Sequence, residues 1–99
     1  MDAPEVFVAK EDGTEIVRAR EIAAVSLDYN GAVTARLAGG EVAVVTLVGG
    51  RSHQDEHRPA DFHRQLLHAV TQLADSSGAH LLRPVHDEEH GWRWISEPL

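Results

Sequence analysis

The sequence predicts an α+β fold: an antiparallel β-meander with one long amphipathic helix packed on one face and a C-terminal β-hairpin. Three observations predict it: an apolar stripe at helical spacing, glycine turns between strand-like runs before that stripe, and two further strand-like runs after it. The 99 residues fit a single domain. The predicted bounds are a meander over 5–48, a loop over 49–58, a helix over 59–77 and a hairpin over 80–97.

The helix is the element around which the other predictions are arranged. Pro59 suits a first helical position, Asp61 places a negative charge in the first turn, and Gly78 is placed to end the helix. An apolar stripe of this kind must be buried against another element, and nearly everything before it has the pattern of β-strands. The stripe comprises Phe62, Leu66, Leu67, Val70, Leu73 and Ala74.

Turn residues separate the strands of the predicted meander. Asp12 and Gly13 follow the first strand-like run, and Asn30 and Gly31 favour the positive φ angles of a tight hairpin turn. Short turns between successive strands favour antiparallel pairing, because parallel strands need a long crossover. The stretch 41–48 is β-branched and nearly continuous, which favours a strand that is central or buried on both sides.

The C-terminal stretch 80–97 predicts two strands around an acidic turn. Pro84 lacks a backbone N–H, which places the first of these strands at a sheet edge. Trp92 and Trp94 lie two residues apart on the second strand and therefore share one face.

Composition narrows the class of protein. The formal net charge of −7 argues against nucleic acid as the main partner, because such binding depends on Lys and Arg neutralising phosphates. There is no cysteine for a disulfide, a thiolate zinc site or a thiol nucleophile. No apolar run approaches the roughly 20 residues of a membrane span, and the N-terminus lacks the features of a secretory signal. We therefore expect a soluble cytoplasmic protein that does not bind membranes.

Paired aromatic and β-branched residues provide candidate contact residues. A sheet with one helix leaves much of its other face uncovered unless the sheet curls on itself, and tryptophan is enriched in protein interfaces. The candidate partner-binding residues are Trp92, Trp94, Val42 and Val44. The alternative for the tryptophans is that one or both close off the core under the helix.

Histidine pairs provide a metal-binding alternative. His53 and His57 lie four apart in the predicted loop, and His86 and His90 lie four apart in the acidic turn, so four imidazoles could meet at a tetrahedral metal. The stretch 86–90 also satisfies H-x-x-E-H, but that peptidase motif needs a helix, and here it lies between Pro84 and a strand-like run. The other interpretation is that these histidines are ordinary polar surface residues. No cofactor is predicted.

A resemblance to known families rests on the stretches DGTEIVRAREIAAVSLD and VTARLAGGEVAVV. In the order of strands, turns and helix, residues 6–74 resemble the flagellar FlbD-like regulatory proteins, and the same order resembles the LytTR DNA-binding domain. The segment 81–99 has no counterpart in the FlbD-like pattern. The resemblance implies a small regulatory protein that acts through contacts. In the LytTR-like alternative, a nucleic-acid-binding regulator would use Arg18, Arg20, Arg36 and Arg93.

The function that the sequence favours is a non-enzymatic regulatory or adaptor protein that acts by protein–protein contact. Its expected partners are a second copy of itself, as a homodimer, and an unidentified protein.

Overall fold

The computed structural model describes residues 5–38, 43–49, 59–76 and 78–99, and within these ranges it shows seven β-strands, one α-helix and a short 3-10 helix. The predicted α+β class is therefore confirmed. Of the predicted loop 49–58 only Gly49 belongs to the described residues, and Val42 lies outside them as well. The elements are β1 (Glu5–Ala9), β2 (Ile16–Arg18), the 3-10 helix (Ala19–Glu21), β3 (Ile22–Leu27), β4 (Val33–Leu37), β5 (Ala43–Val48), α1 (Phe62–Leu73), β6 (Ala79–Asp87) and β7 (Gly91–Pro98).

The strands form two sheets. One has four strands in the order β2-β1-β6-β7, and the other has three strands in the order β3-β4-β5. β1 runs parallel to β6, with Glu5 opposite Ala79 and Val8 opposite Leu82. The prediction of one antiparallel meander over 5–48 is wrong in this respect, because β1 pairs with β2 on one side and with β6 of the C-terminal hairpin on the other, in a sheet that does not contain β3.

Two parts of the predicted arrangement are present. β3, β4 and β5 pair antiparallel as a three-stranded meander. β6 and β7 form the predicted C-terminal hairpin, with His80 opposite Pro98 at the open end and Asp87 opposite Gly91 at the turn. Gly91 has a φ of +69°, a left-handed conformation in which glycine carries no side-chain clash.

The loop between β3 and β4 differs from the tight turn that was predicted. It runs from residue 28 to 32, and the Asp28 carboxylate accepts hydrogen bonds from the backbone N–H groups of Asn30 (2.8 Å) and Ala32 (3.0 Å). Gly31 has a φ of +84°, whereas no non-glycine residue in the described ranges has a positive φ. The aspartate thus organises a five-residue loop in which only Gly31 is left-handed.

Two strand positions also differ from the prediction. β5 lies at an edge of its sheet, and Val44 and Thr46 are exposed while Val45 and Leu47 are buried, so the strand has one outer face. β6 lies between β1 and β7, although it contains Pro84. The proline is tolerated because the pairing with β1 ends at Leu82, before Pro84 is reached, and on its other side Pro84 lies opposite Trp94.

The helix is shorter than predicted, with 12 residues instead of the predicted stretch 59–77. Pro59 precedes it in a turn, where its carbonyl accepts a hydrogen bond from the Phe62 N–H at 3.0 Å. Asp61 is the N-cap, but its carboxylate accepts from the Gln65 side-chain amide at 2.9 Å and not from the helix backbone. At the other end the hydrogen bonds change to three-residue spacing, from Ala74 to Thr71, which tightens and ends the helix.

The core is one hydrophobic cluster to which both sheets and the helix contribute. Phe62 and Leu66 are the fully buried residues of α1, and the helix contacts β3 of one sheet and β6 and β7 of the other. The buried members are Val8, Val17, Val33, Ala35, Val45, Leu47, Val48, Phe62, Leu66, Leu82 and Trp92.

Candidate contact surface

The two tryptophans predicted as contact residues lie against the first turn of α1. Trp92 is 7 % exposed, and its ring meets the Phe62 ring edge-on, with centroids 6.0 Å apart. The Trp94 ring is stacked on Phe62, with centroids 4.9 Å apart and 20° between the ring planes. The indole N–H of Trp94 donates a hydrogen bond to the Phe62 carbonyl at 2.9 Å. Both side chains thus help to close the core beneath the helix, which leaves little of Trp92 on the surface.

Val44 is placed differently from the tryptophans. Its side chain is 58 % exposed on the outer face of β5, the edge strand of the three-stranded sheet. The other predicted valine, Val42, lies outside the described residues. Among the predicted contact residues that the structure describes, Val44 therefore has the most exposed side chain.

The surroundings of Val44 form a shallow depression of about 340 Å³ on the outer face of the three-stranded sheet. We call this the β3–β5 face. Ala24 and Ser26 come from β3, and Thr34 and Arg36 come from β4, where Arg36 lies opposite Val44 in the strand register. Most of these side chains are short, so the surface is nearly flat. Among the described residues that line it, there is one cation and no carboxylate.

The four arginines of the nucleic-acid alternative are distributed over the molecule. Arg18 lies on β2, with its guanidinium 6.0 Å from the centroid of the Phe7 ring, and Arg20 is paired with Glu5. Arg36 lies on the other sheet. Arg93 lies on β7, at the opposite edge of its sheet from Arg18, and its guanidinium is 3.2 Å from the Asp87 carboxylate. Two of the four arginines, Arg20 and Arg93, already have carboxylate partners. Because β2 and β7 are also separated by two strands, the four arginines do not form one basic patch.

The histidines of the metal alternative are described only in part. His53 and His57 lie outside the described residues, whereas His86 and His90 are exposed near the tip of the β6–β7 hairpin. His90 Nδ1 is 3.3 Å from the Asp87 carboxylate, and the His86 ring lies 5.3 Å from the Trp92 ring. In the described part of the chain, no group of three or more His, Asp, Glu or Cys side chains could hold a metal ion.

Asp87 organises the tip of this hairpin. Its carboxylate accepts a hydrogen bond from the backbone N–H of His90, and this bond is the largest cause that holds the pKa of Asp87 below its ordinary value. Nearby Arg93 acts in the same direction. The carboxylate is therefore a structural group of the turn, and it is engaged by protein donors.

A second cavity, not anticipated from the sequence, lies between the C-terminal half of α1, β1 and the 3-10 helix. It has a volume of about 200 Å³. The Arg20 guanidinium and the Glu5 carboxylate at its lining are 3.6 Å apart. The other lining side chains are apolar: Val6, Ala19, Val70 and Ala74. The β1–β2 hairpin brings Glu5 and Arg20 together, whereas Val70 and Ala74 come from a distant part of the chain, so no local sequence pattern predicts the cavity.

Within the described residues, no helix is long and apolar enough to cross a membrane. Comparison with protein-family models, with curated proteins and with solved structures finds no match. The resemblance to FlbD-like and LytTR-like domains therefore stays a prediction, and the functional argument depends on the geometry of this chain.

Proposed function

We propose that this protein is a small, non-enzymatic regulatory or adaptor protein that forms a homodimer through the β3–β5 face and acts on a further protein by contact. The observation that carries the proposal is Val44, a β-branched side chain that is 58 % exposed on an edge strand, among neighbours that are short except for Arg36. A flat face of this kind can pack against the same face of a second copy, since a two-fold axis brings identical patches together.

Charge favours this face over the rest of the surface. Each chain carries a formal net charge of −7, so two copies repel each other wherever carboxylates face carboxylates. The residues that line the β3–β5 face contribute Arg36 and, in the described ranges, no acid. A second copy therefore meets less repulsion here than at a carboxylate-bearing surface.

The size of the face sets the strength of the expected dimer. Three strands of five or six residues span about 14 Å by 18 Å, or roughly 250 Å² in projection. A stable interface typically buries about 800 Å² on each partner. The β3–β5 face alone thus supports a weak, concentration-dependent dimer, which suits a regulatory protein that exchanges partners.

The test is sedimentation equilibrium of the full chain from about 1 to 500 μM, with Val44→Glu as the disrupting variant. Completing the burial of Val44 is worth roughly 1 kcal/mol per subunit, so its loss from both subunits should weaken the dimer about tenfold to a hundredfold. Ile16→Glu is the matched control, because Ile16 is also β-branched, is 48 % exposed and lies on an edge strand of the other sheet. A wild-type chain that stays monomeric, or equal effects of the two variants, would refute the proposal.

Salt separates this proposal from the nucleic-acid alternative. Self-association of an acidic chain should strengthen between about 20 and 300 mM salt, because screening reduces the repulsion between copies. Binding to DNA should weaken steeply over the same range, because it depends on the release of counterions. A mobility-shift titration at low salt that retards DNA would favour the arginine-based alternative.

A further inference from the structure

The cavity between α1, β1 and the 3-10 helix combines an apolar lining with one pair of opposite charges. Val6, Ala19 and Val70 supply part of the apolar wall, and each of them is partly buried. The volume of about 200 Å³ is below the roughly 300 to 1,000 Å³ typical of sites for drug-sized ligands. An apolar cavity of about 150 Å³ is large enough for benzene. The space therefore suits a compact ligand with a short hydrocarbon body.

The two opposite charges at this cavity are not in hydrogen-bond contact. Arg20 Nη1 and Glu5 Oε1 are 3.6 Å apart, which is longer than a hydrogen bond. The Arg20 side chain is 66 % exposed, and that of Glu5 is 34 % exposed. An exposed pair at this separation is weak, so a ligand can bind to both groups without breaking a strong interaction.

We infer that this cavity binds a free aliphatic α-amino acid of about the size of leucine. The ligand carboxylate pairs with the Arg20 guanidinium, and its ammonium group pairs with the Glu5 carboxylate. The hydrocarbon side chain lies against the apolar wall formed by Val6, Ala19, Val70 and Ala74.

The opposite charges of Arg20 and Glu5 determine this choice of ligand. A simple carboxylic acid would bring its negative charge close to Glu5, and a simple amine would bring its positive charge close to Arg20. An α-amino acid carries an ammonium and a carboxylate group on the same carbon atom, so each ligand charge can lie nearest to its opposite. Guanidinium groups bind carboxylates with two parallel hydrogen bonds, which further favours the carboxylate at Arg20.

The direct test is a titration of the full chain followed by backbone amide NMR. L-leucine is compared with 4-methylpentanoate, which lacks the ammonium group, and with 3-methylbutylamine, which lacks the carboxylate. We expect saturable shifts at Arg20 and Ala74 with leucine, and binding at least about tenfold weaker for either analogue. No saturation by any aliphatic amino acid up to about 10 mM, or equal binding of leucine and an analogue, would overturn the inference.

Substitutions locate the binding within the cavity. Ala74→Leu adds a side chain from an exposed position into the space, and Arg20→Gln removes the carboxylate partner. Both substitutions should weaken leucine binding at least about tenfold. Arg64→Gln is the control and should leave leucine binding unchanged, because Arg64 is an exposed arginine of α1 that does not line the cavity. Unaltered binding in both cavity variants would overturn the inference.

This inference does not depend on the dimer. Val44 lies on the three-stranded sheet and does not line the cavity. Leucine should therefore bind the Val44→Glu variant as it binds the wild-type chain. If Val44→Glu abolishes the dimer and still binds leucine, dimerisation and leucine binding take place on two different surfaces.

Discussion

The stacking of Trp94 on Phe62 should be measurable as a coupling energy in the stability of the protein. The two rings lie 4.9 Å apart and nearly parallel, and Phe62 is fully buried. Phe62→Leu keeps a similar apolar volume but removes the ring contacts with Trp92 and Trp94. Each such contact is worth about 0.5 to 1.5 kcal/mol, so we expect a loss of about 1 to 3 kcal/mol in the free energy of unfolding.

A double-mutant cycle isolates the ring contact from the hydrogen bond. Trp94→Leu removes both the stacking and the indole N–H bond to the Phe62 carbonyl. Because that carbonyl belongs to the backbone, Phe62→Leu leaves it in place, and the hydrogen bond cancels in the cycle. The coupling between the two changes should therefore equal the stacking term, about 0.5 to 1.5 kcal/mol.

Urea unfolding of the two single variants and the double variant provides the measurement. With a slope of about 1 kcal/mol per molar urea, Phe62→Leu should lower the midpoint by about 1 to 3 M. Trp92 remains as the fluorescent probe in all these variants. Phe7→Leu with Trp94→Leu is the control cycle, since the Phe7 ring faces Arg18 instead of a tryptophan. A coupling below about 0.3 kcal/mol for Phe62 and Trp94 would refute the stacked arrangement.

Three other changes probe the helix and the hairpin. Leu66→Ala should cost about 2 to 5 kcal/mol in unfolding free energy by urea titration, because Leu66 is fully buried, whereas Leu67→Ala, at a position 48 % exposed, should cost clearly less. Gly91→Ala should cost about 1 to 2 kcal/mol in the same assay, because its φ of +69° is strained for a side chain. The lowered pKa of Asp87 predicts a stabilisation that is present above about pH 4 and lost as the pH falls through the folded-state value. The melting temperature of Asp87→Asn should therefore lie below that of the wild type at pH 7, and the difference should shrink at pH 2.

The local features of the fold could be predicted from the sequence because local chemistry determines them. The spacing of its apolar residues predicts the position of α1. The acidic residues before Gly91, together with that glycine, predict the turn of the C-terminal hairpin. The predicted stripe was too wide, since Leu67 lies on its border and is 48 % exposed. The predicted helix was too long at both ends, where the Pro59 turn and the hydrogen bond from Ala74 to Thr71 replace regular helix.

The parallel pairing of β1 and β6 could not be predicted in the same way. Val8 and Leu82 are neighbours although they lie far apart in the sequence, and no turn signal marks such a pair. Turn residues such as Gly13 indicate only that two consecutive strands are adjacent. They do not indicate that β1 also has a free edge that accepts a distant strand. The Glu5–Arg20 pair continues the antiparallel register of β1 and β2, in which Phe7 lies opposite Arg18, so it follows from that local hairpin. The cavity beside the pair could not be predicted, because Val70 and Ala74 reach it from a distant part of the chain.

Because Trp94 and Val44 lie on different sheets, substitutions at these two positions should affect different properties of the protein. Trp94 supports the helix from the four-stranded sheet, so its loss lowers stability through the core, and any effect on self-association would be indirect. Val44 lies on the outer face of the other sheet, where a change costs little stability because the side chain is already largely in water. The contact proposal therefore requires that the two substitutions affect different properties. Trp94→Leu should lower the urea midpoint and leave dimerisation of the folded chain intact. Val44→Glu should weaken dimerisation and leave the urea midpoint nearly unchanged. Dimer loss in Trp94→Leu at full folding would place the contact on the tryptophan strand instead.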